Sequence, residues 1–191
     1  MGAGTERDGV LIADPTPTDI DNAITVVDAD LPTAVEELKR LTRVLLPAAV
    51  TRWNTRRGWT VWTPLQFRWA PADLTESDIH CVLFDIADAV QTTMGQGRFR
   101  TDATILAHFI GPKLGPNSDE QLRNAWRMAA MFKGIIRNVQ DGQIDGNGFT
   151  CWGQCVPQNT RFLPSQWRSY SGATVPLQVI VWPGANSWAA A

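Results

Sequence analysis

Two long alternating segments lie on either side of Gly95-Gln96-Gly97, an amphipathic helix starts at Ser118, and two more alternating segments follow. Apolar residues at every second position belong to half-buried strands, and a three- to four-residue spacing belongs to helices. This order therefore requires a sheet with a helix packed on it. A compact sheet-and-helix domain with no evident catalytic cluster reads as a building block before it reads as an enzyme.

A chain of 191 residues suffices for one well-buried core, and here it reads as one domain with an extension. Hydrophobic residues make up 44% and charged residues 19%, which excludes wholesale disorder, and a net charge of −2 gives no global reason to expect nucleic-acid binding. The distribution of charge is more informative. Residues 1–30 hold Glu6, Asp8, Asp14, Asp19, Asp21, Asp28 and Asp30 against Arg7 alone. Residues 31–70 hold Lys39, Arg40, Arg43, Arg52, Arg56, Arg57 and Arg68 against Glu36 and Glu37. Two readings follow: two solvated surfaces, or an acidic arm that docks on a basic face of its own or a neighbouring subunit.

No apolar run approaches the roughly 18 residues of a membrane span, and no basic stretch followed by a hydrophobic one opens the chain. The expectation is a protein neither secreted nor membrane-inserted. Cys81, Cys151 and Cys155 cannot all pair within one chain. On a shared strand, Cys151 and Cys155 would stand about 13 Å apart, too far for a disulfide. Reduced cytosolic thiols are the simplest account.

The organisation reads as an acidic extended arm over 1–32, a single domain over 33–182 and a tail over 183–191. Thr33-Ala34-Val35-Glu36 forms a capping box, and Val35, Leu38, Leu41 and Leu45 line one face of a helix that Pro47 should end or kink. Residues 50–70, rich in tryptophan and interrupted by Asn54, Gly58 and Pro64, predict short strands joined by turns. The long hairpin follows, with His80, Val82, Phe84 and Ile86 alternating against Cys81, Leu83 and Asp85. A helix over 79–90 is the competing reading. A second helix capped by Ser118 should bury Leu122, Trp126, Ala129, Ala130, Phe132 and Ile136. Residues 149–156 and 173–182 predict the closing strands, the last either at an edge or beginning with irregular pairing because it contains Pro176, with a polar loop over 157–172 between them.

Chemistry-bearing residues are sparse. A nucleophilic pair of Cys81 with His108 would have to form across the hairpin, because His80 beside Cys81 would point to the other face of a strand. The cysteines and histidines lack close metal-ligand spacing, so no metal is expected. Asp85 and Asp88 fall on opposite faces of a regular strand. No phosphate loop, dinucleotide fingerprint or nucleophile elbow is present, and no cofactor is expected. Arg56 and Arg57 between Trp53 and Trp59 suggest either stacking on a nucleic acid or a basic loop over packed rings.

Leu45-Leu46-Pro47 ending a helix, the segment Val50-Thr51-Arg52-Trp53-Asn54, the hairpin around Gly95 and Gly97, the helix from Asp119 and two closing strands resemble the tail-terminator proteins of long-tailed bacteriophages. The likeness spans about residues 33–182 and rests on element order and texture. It implies an α/β (α+β) fold: a twisted, mostly antiparallel sheet with a long β-hairpin, packed against two main helices. It also implies a virion protein of the tail and neck, made in the host cytoplasm and assembling with itself as a homohexameric ring. Such a ring caps the tail tube protein, stops its polymerisation and meets the head-tail connector. Its central channel would leave room for genomic DNA without sequence-specific binding. The family brings no catalytic residues. Arg56, Arg57, Arg98 and Arg100 are the candidates for subunit-interface or lumen positions. Another neck or head-completion adaptor is the nearest alternative, and a small cytosolic hydrolase using Cys81 is a more distant one.

Overall fold

The computed structural model describes residues 6–7, 10–11, 31–70, 74, 79–95, 98–116, 118–138 and 154–181. The acidic arm beyond its two short strands, residues 149–153 with Cys151, and the carboxy-terminal tail lie outside the described residues. β1 (Glu6–Arg7) and β2 (Val10–Leu11) pair antiparallel with each other. The main body is an α+β domain: helices α1 (Leu31–Arg57) and α2 (Ser118–Asn138) pack on a five-stranded sheet. The sheet comprises β3 (Gln66–Trp69), β4 (Cys81–Gly95), β5 (Arg98–Lys113), β6 (Gln154–Pro157) and β7 (Tyr170–Val181). Their order is β3-β4-β5-β7-β6, parallel between β3 and β4 and antiparallel elsewhere.

α1 runs through Pro47 and converts much of the expected strand region into helix. A helix-interior proline costs about 3 kcal/mol. Leu46 and Val50, both fully buried, lie on either side of it, and each buried aliphatic side chain contributes about 1.5–3 kcal/mol. Burial therefore outweighs the lost N–H. The buried positions Val35, Leu38, Leu41, Thr42, Leu46 and Val50 keep helical spacing throughout, so Leu46 rather than Leu45 faces the core. The helix starts before the expected capping box, with Pro32 in the first turn, where its missing N–H has no intrahelical partner to lose. It ends at Gly58, whose φ of +63° suits a residue without a Cβ, while the Trp59 N–H donates to the Asn54 carbonyl at 3.1 Å. The Asn54 amide then grips the next segment in both directions: Nδ2 donates to the Val61 carbonyl at 2.7 Å and Oδ1 accepts from the Val61 N–H at 3.1 Å.

The strands β4 and β5 form the long hairpin, and the helical alternative over 79–90 is not what folds. Val82, Phe84, Ile105, Ala107 and Phe109 meet Val175, Leu177, Val179 and Val181 under the helices, with Phe132 edge-on to Phe84 and Phe109. α2 buries Ala125, Met128, Ala129, Phe132 and Ile136, whereas the expected core residues Trp126 and Ala130 are exposed. The stripe is displaced because α2 packs over β7 and the short β6, so Trp126 overhangs the sheet and meets Phe162 instead.

The opposite face carries a second core of Cys81, Leu83, Ile110, Leu163, Trp167 and Tyr170. Leu163 and Trp167 come from the segment read as a polar loop, which contains a 3-10 turn over Ser165–Trp167 and a bridge from Arg161 to Thr174. β7 is an interior strand and not at an edge, the first of the two positions expected from Pro176, while its pairing with β5 is irregular at its start, with a register shift between Ile110 and Lys113. The β6 ladder ends at Pro157 opposite Leu177, and the Pro176 carbonyl accepts the Gln158 N–H at 2.8 Å. Proline supplies that acceptor without the return donor, so it sits where the pairing stops.

Candidate functional site

The hairpin is longer than the sheet that supports it. β4 pairs on both sides only from Cys81 to Phe84. Beyond Phe84 its outer edge has no strand partner among the described residues. From Ala87 to Met94 every residue is exposed, whichever face it points to; Val90 retains 56% and Met94 52% of its accessible surface. β7 backs the hairpin as far as Thr101, opposite Gln91, and beyond that point the described residues form a two-stranded ribbon. A free strand edge with exposed apolar side chains is normally shielded, because its unpaired N–H and C=O groups template further pairing.

A register shift between Ile86 and Asp88 resets which residues share a face. Asp85 stands opposite Leu106 and Asp88 opposite Thr104, two positions apart on β5, so both carboxylates lie on the same face. The opposite-face expectation fails because one extra residue cancels their odd spacing. The same face carries Val90 opposite Asp102 and Thr92 opposite Arg100. Here a shallow trough of about 370 Å³ is lined by Asp88, Val90, Arg100, Asp102, Gln154 and Gln178.

The four candidate arginines separate into two places. Arg98 opens β5 opposite Gly95 at the hairpin turn, and its side chain lies outside the described residues. Arg100 is half-buried in the trough, with Nε and Nη2 donating to Asp102 Oδ1 at 2.9 and 2.7 Å. Arg56 and Arg57 lie at the other end of the domain, where α1 ends beside the start of α2. Thr60 Oγ1 donates to Glu120 at 3.1 Å and Asn124 Nδ2 donates to the Thr60 carbonyl at 3.3 Å, which ties the chain leaving α1 to α2.

At that end the guanidiniums and indoles form a continuous ladder. Arg57 and Arg56 lie over Trp53 at 5.3 and 5.8 Å, Trp53 stacks on Trp59 at 5.8 Å, and Arg127 lies 4.3 Å over Trp59. Arg127 was not a sequence candidate. Sixty-eight residues separate it from Trp59, and only the packing of α2 beside α1 joins them. The Asp102 partner of Arg100 was legible, since residues two apart on a strand share a face.

The histidines and thiols are built into packing. His80 sits in the turn before β4 with φ of 58°, stacked on Trp62 at 5.2 Å, and burial lowers its pKa. His108 is 1% exposed on the second face, hydrogen-bonded to Thr174 at 2.9 Å and edge-on to Trp167; burial lowers its pKa to about 4. Cys81 belongs to the second core and Cys155 packs against the first, and burial pushes both thiols up to about 12. A thiol held protonated is a poor nucleophile. Among the described residues no three His, Cys, Asp or Glu side chains gather as a metal site, and no helix is long and apolar enough to cross a membrane.

The chain matches no protein-family model and no curated protein sequence.

Proposed function

We propose that this protein is a structural subunit that assembles as a ring, and that it serves as a tail terminator of a long-tailed bacteriophage. In this reading a homohexamer caps the tail tube, stops its polymerisation and presents its other face to the head-tail connector, so the protein is a component of the virion and not a catalyst. The observation that carries the reading is the overlong hairpin, whose outer edge has no strand partner among the described residues from Asp85 outward, with Val90 and Met94 exposed. A neighbouring copy that pairs with this edge would satisfy its backbone and cover its apolar side chains. A contact between two different surfaces of identical subunits closes into a ring when the rotation between them is right. The protonated thiols and the hydrogen-bonded, buried His108 are consistent with a packing role.

The test is assembly of hairpin variants. Val90→Asp with Met94→Asp should dissociate the oligomer while the circular dichroism and thermal transition of the domain stay intact, because both side chains lie outside the cores. Charge reversal of Arg98 and Arg100 should likewise impair assembly or docking on the tube. Unchanged assembly in both variants would overturn the hairpin's role.

A further inference from the structure

The ladder at the far end from the hairpin has a use that ring assembly does not require. Its two indoles are each in contact with the other indole and with a guanidinium, so their stacking capacity is taken up internally. What faces outward is charge. Arg56 and Arg57 are exposed, have no acidic partner among the described residues, and sit on an aromatic support that limits their rotamers. A guanidinium laid on a ring keeps its N–H fork free for a carboxylate. Beyond Arg127 the surface continues into a shallow depression lined by Leu122, Arg123, Trp126 and Ala130. Basic groups thus surround an apolar floor.

The chain contains a segment of the complementary pattern. Residues 1–30 carry seven acidic side chains and one arginine, whereas residues 31–191 carry sixteen basic and twelve acidic ones. Within that segment Glu6 and Asp8 precede the apolar run Val10-Leu11-Ile12, and Asp14 follows it. Reach selects among the acids. α1 has 27 residues, so Arg57 lies roughly 40 Å from Leu31. At about 3.3 Å per extended residue, a side chain must stand about 12 positions before Leu31 to come back that far. Asp28 and Asp30 cannot; Asp19 stands at the limit, and Glu6, Asp8 and Asp14, which also flank the apolar run, can.

We infer that the surface formed by Arg56, Arg57 and Arg127 receives the acidic amino-terminal segment of its own chain, through Glu6, Asp8 and Asp14, with Val10-Leu11-Ile12 over the apolar floor. The contact does not depend on the ring, so the two stand or fall separately.

The experiment titrates a fluorescent peptide of residues 1–30 into full-length protein. The full chain carrying Glu6→Gln, Asp8→Asn and Asp14→Asn has its surface vacated and should bind the peptide at least tenfold more tightly than the native chain. Asp28→Asn with Asp30→Asn should leave affinity at the native level. Adding Arg56→Glu and Arg57→Glu to the vacated chain should weaken binding at least tenfold, and a peptide with Glu6→Lys, Asp8→Lys and Asp14→Lys should restore it. That rescue can occur only on a folded surface. Equal binding by the vacated and native chains, or indifference to arginine reversal, would overturn the inference. So would a single-stranded oligonucleotide that binds the vacated chain through Arg56 and Arg57 when the peptide does not.

Discussion

His108 Nδ1 lies 2.9 Å from Thr174 Oγ1, between residues directly opposed in the β5–β7 ladder. The pair is closed over by Trp167, edge-on to the imidazole at 4.9 Å. Asp85 exerts a smaller opposing pull on the imidazole, and burial prevails, lowering its pKa from 6.5 to about 4. The unfolded chain therefore takes up a proton near pH 6.5 that the folded chain refuses until about pH 4. Stability from this group is complete above 6.5 and declines as pH falls toward 4, by on the order of 3 kcal/mol. Denaturant unfolding at pH 7 and pH 4.5 should show this loss, and His108→Phe should flatten the slope while lowering stability at pH 7. An unchanged slope in the variant would remove His108 as its source.

Asn54 should prove disproportionately important for an exposed helix end. Its amide satisfies both backbone groups of Val61, a residue only 3% exposed. Asn54→Ala leaves both unpaired and should cost about 2–3 kcal/mol in chemical denaturation. Asn54→Asp, which keeps the acceptor and loses the donor, should fall between the two.

Two glycine substitutions should move stability in opposite directions. A Cβ at Gly172 would run into the Leu163 side chain and the Phe109 carbonyl oxygen, so Gly172→Ala should destabilise by about 1–3 kcal/mol. A Cβ at Gly134 meets nothing within 4 Å on α2, so Gly134→Ala should stabilise by about 0.5–1 kcal/mol. Thermal melts of the pair provide the check.

Cys81 and Cys155 should resist alkylation at pH 7 in the folded protein and react promptly once it is unfolded, since both thiols are raised to about 12. Mass spectrometry of peptides after timed labelling resolves the sites. Rapid labelling of native Cys81 would reopen a hydrolytic role for it.

The hairpin and the inner faces of β4 and β7 were legible because Val82, Phe84 and Ile86, and Val175, Leu177, Val179 and Val181, repeat with the period of a strand buried on one side. α2 announced itself by the same logic at helical period. The failures share a cause, which is that distant neighbours override a local rule. Pro47 forbids a helix interior until the burial of Leu46 and Val50 is weighed against it. Pro176 forbids an interior strand until β6 is seen to end beside it. The single residue inserted between Ile86 and Asp88 changes the face of half a strand and leaves no composition signal. Arg56 and Arg57 were visible as a basic pair next to tryptophans, but their continuation into Arg127 exists only after α2 packs against the end of α1.

In the proposed function, copies of this chain close into a ring through the exposed edge of the hairpin. Native mass spectrometry of the purified full-length protein, with two-dimensional averages from electron microscopy of the same sample, measures this directly. The expected result is a species of six times the chain mass with sixfold symmetry, lost in the Val90→Asp, Met94→Asp variant. A monomer at every concentration tested, with no ring at the end of isolated tails, would contradict it.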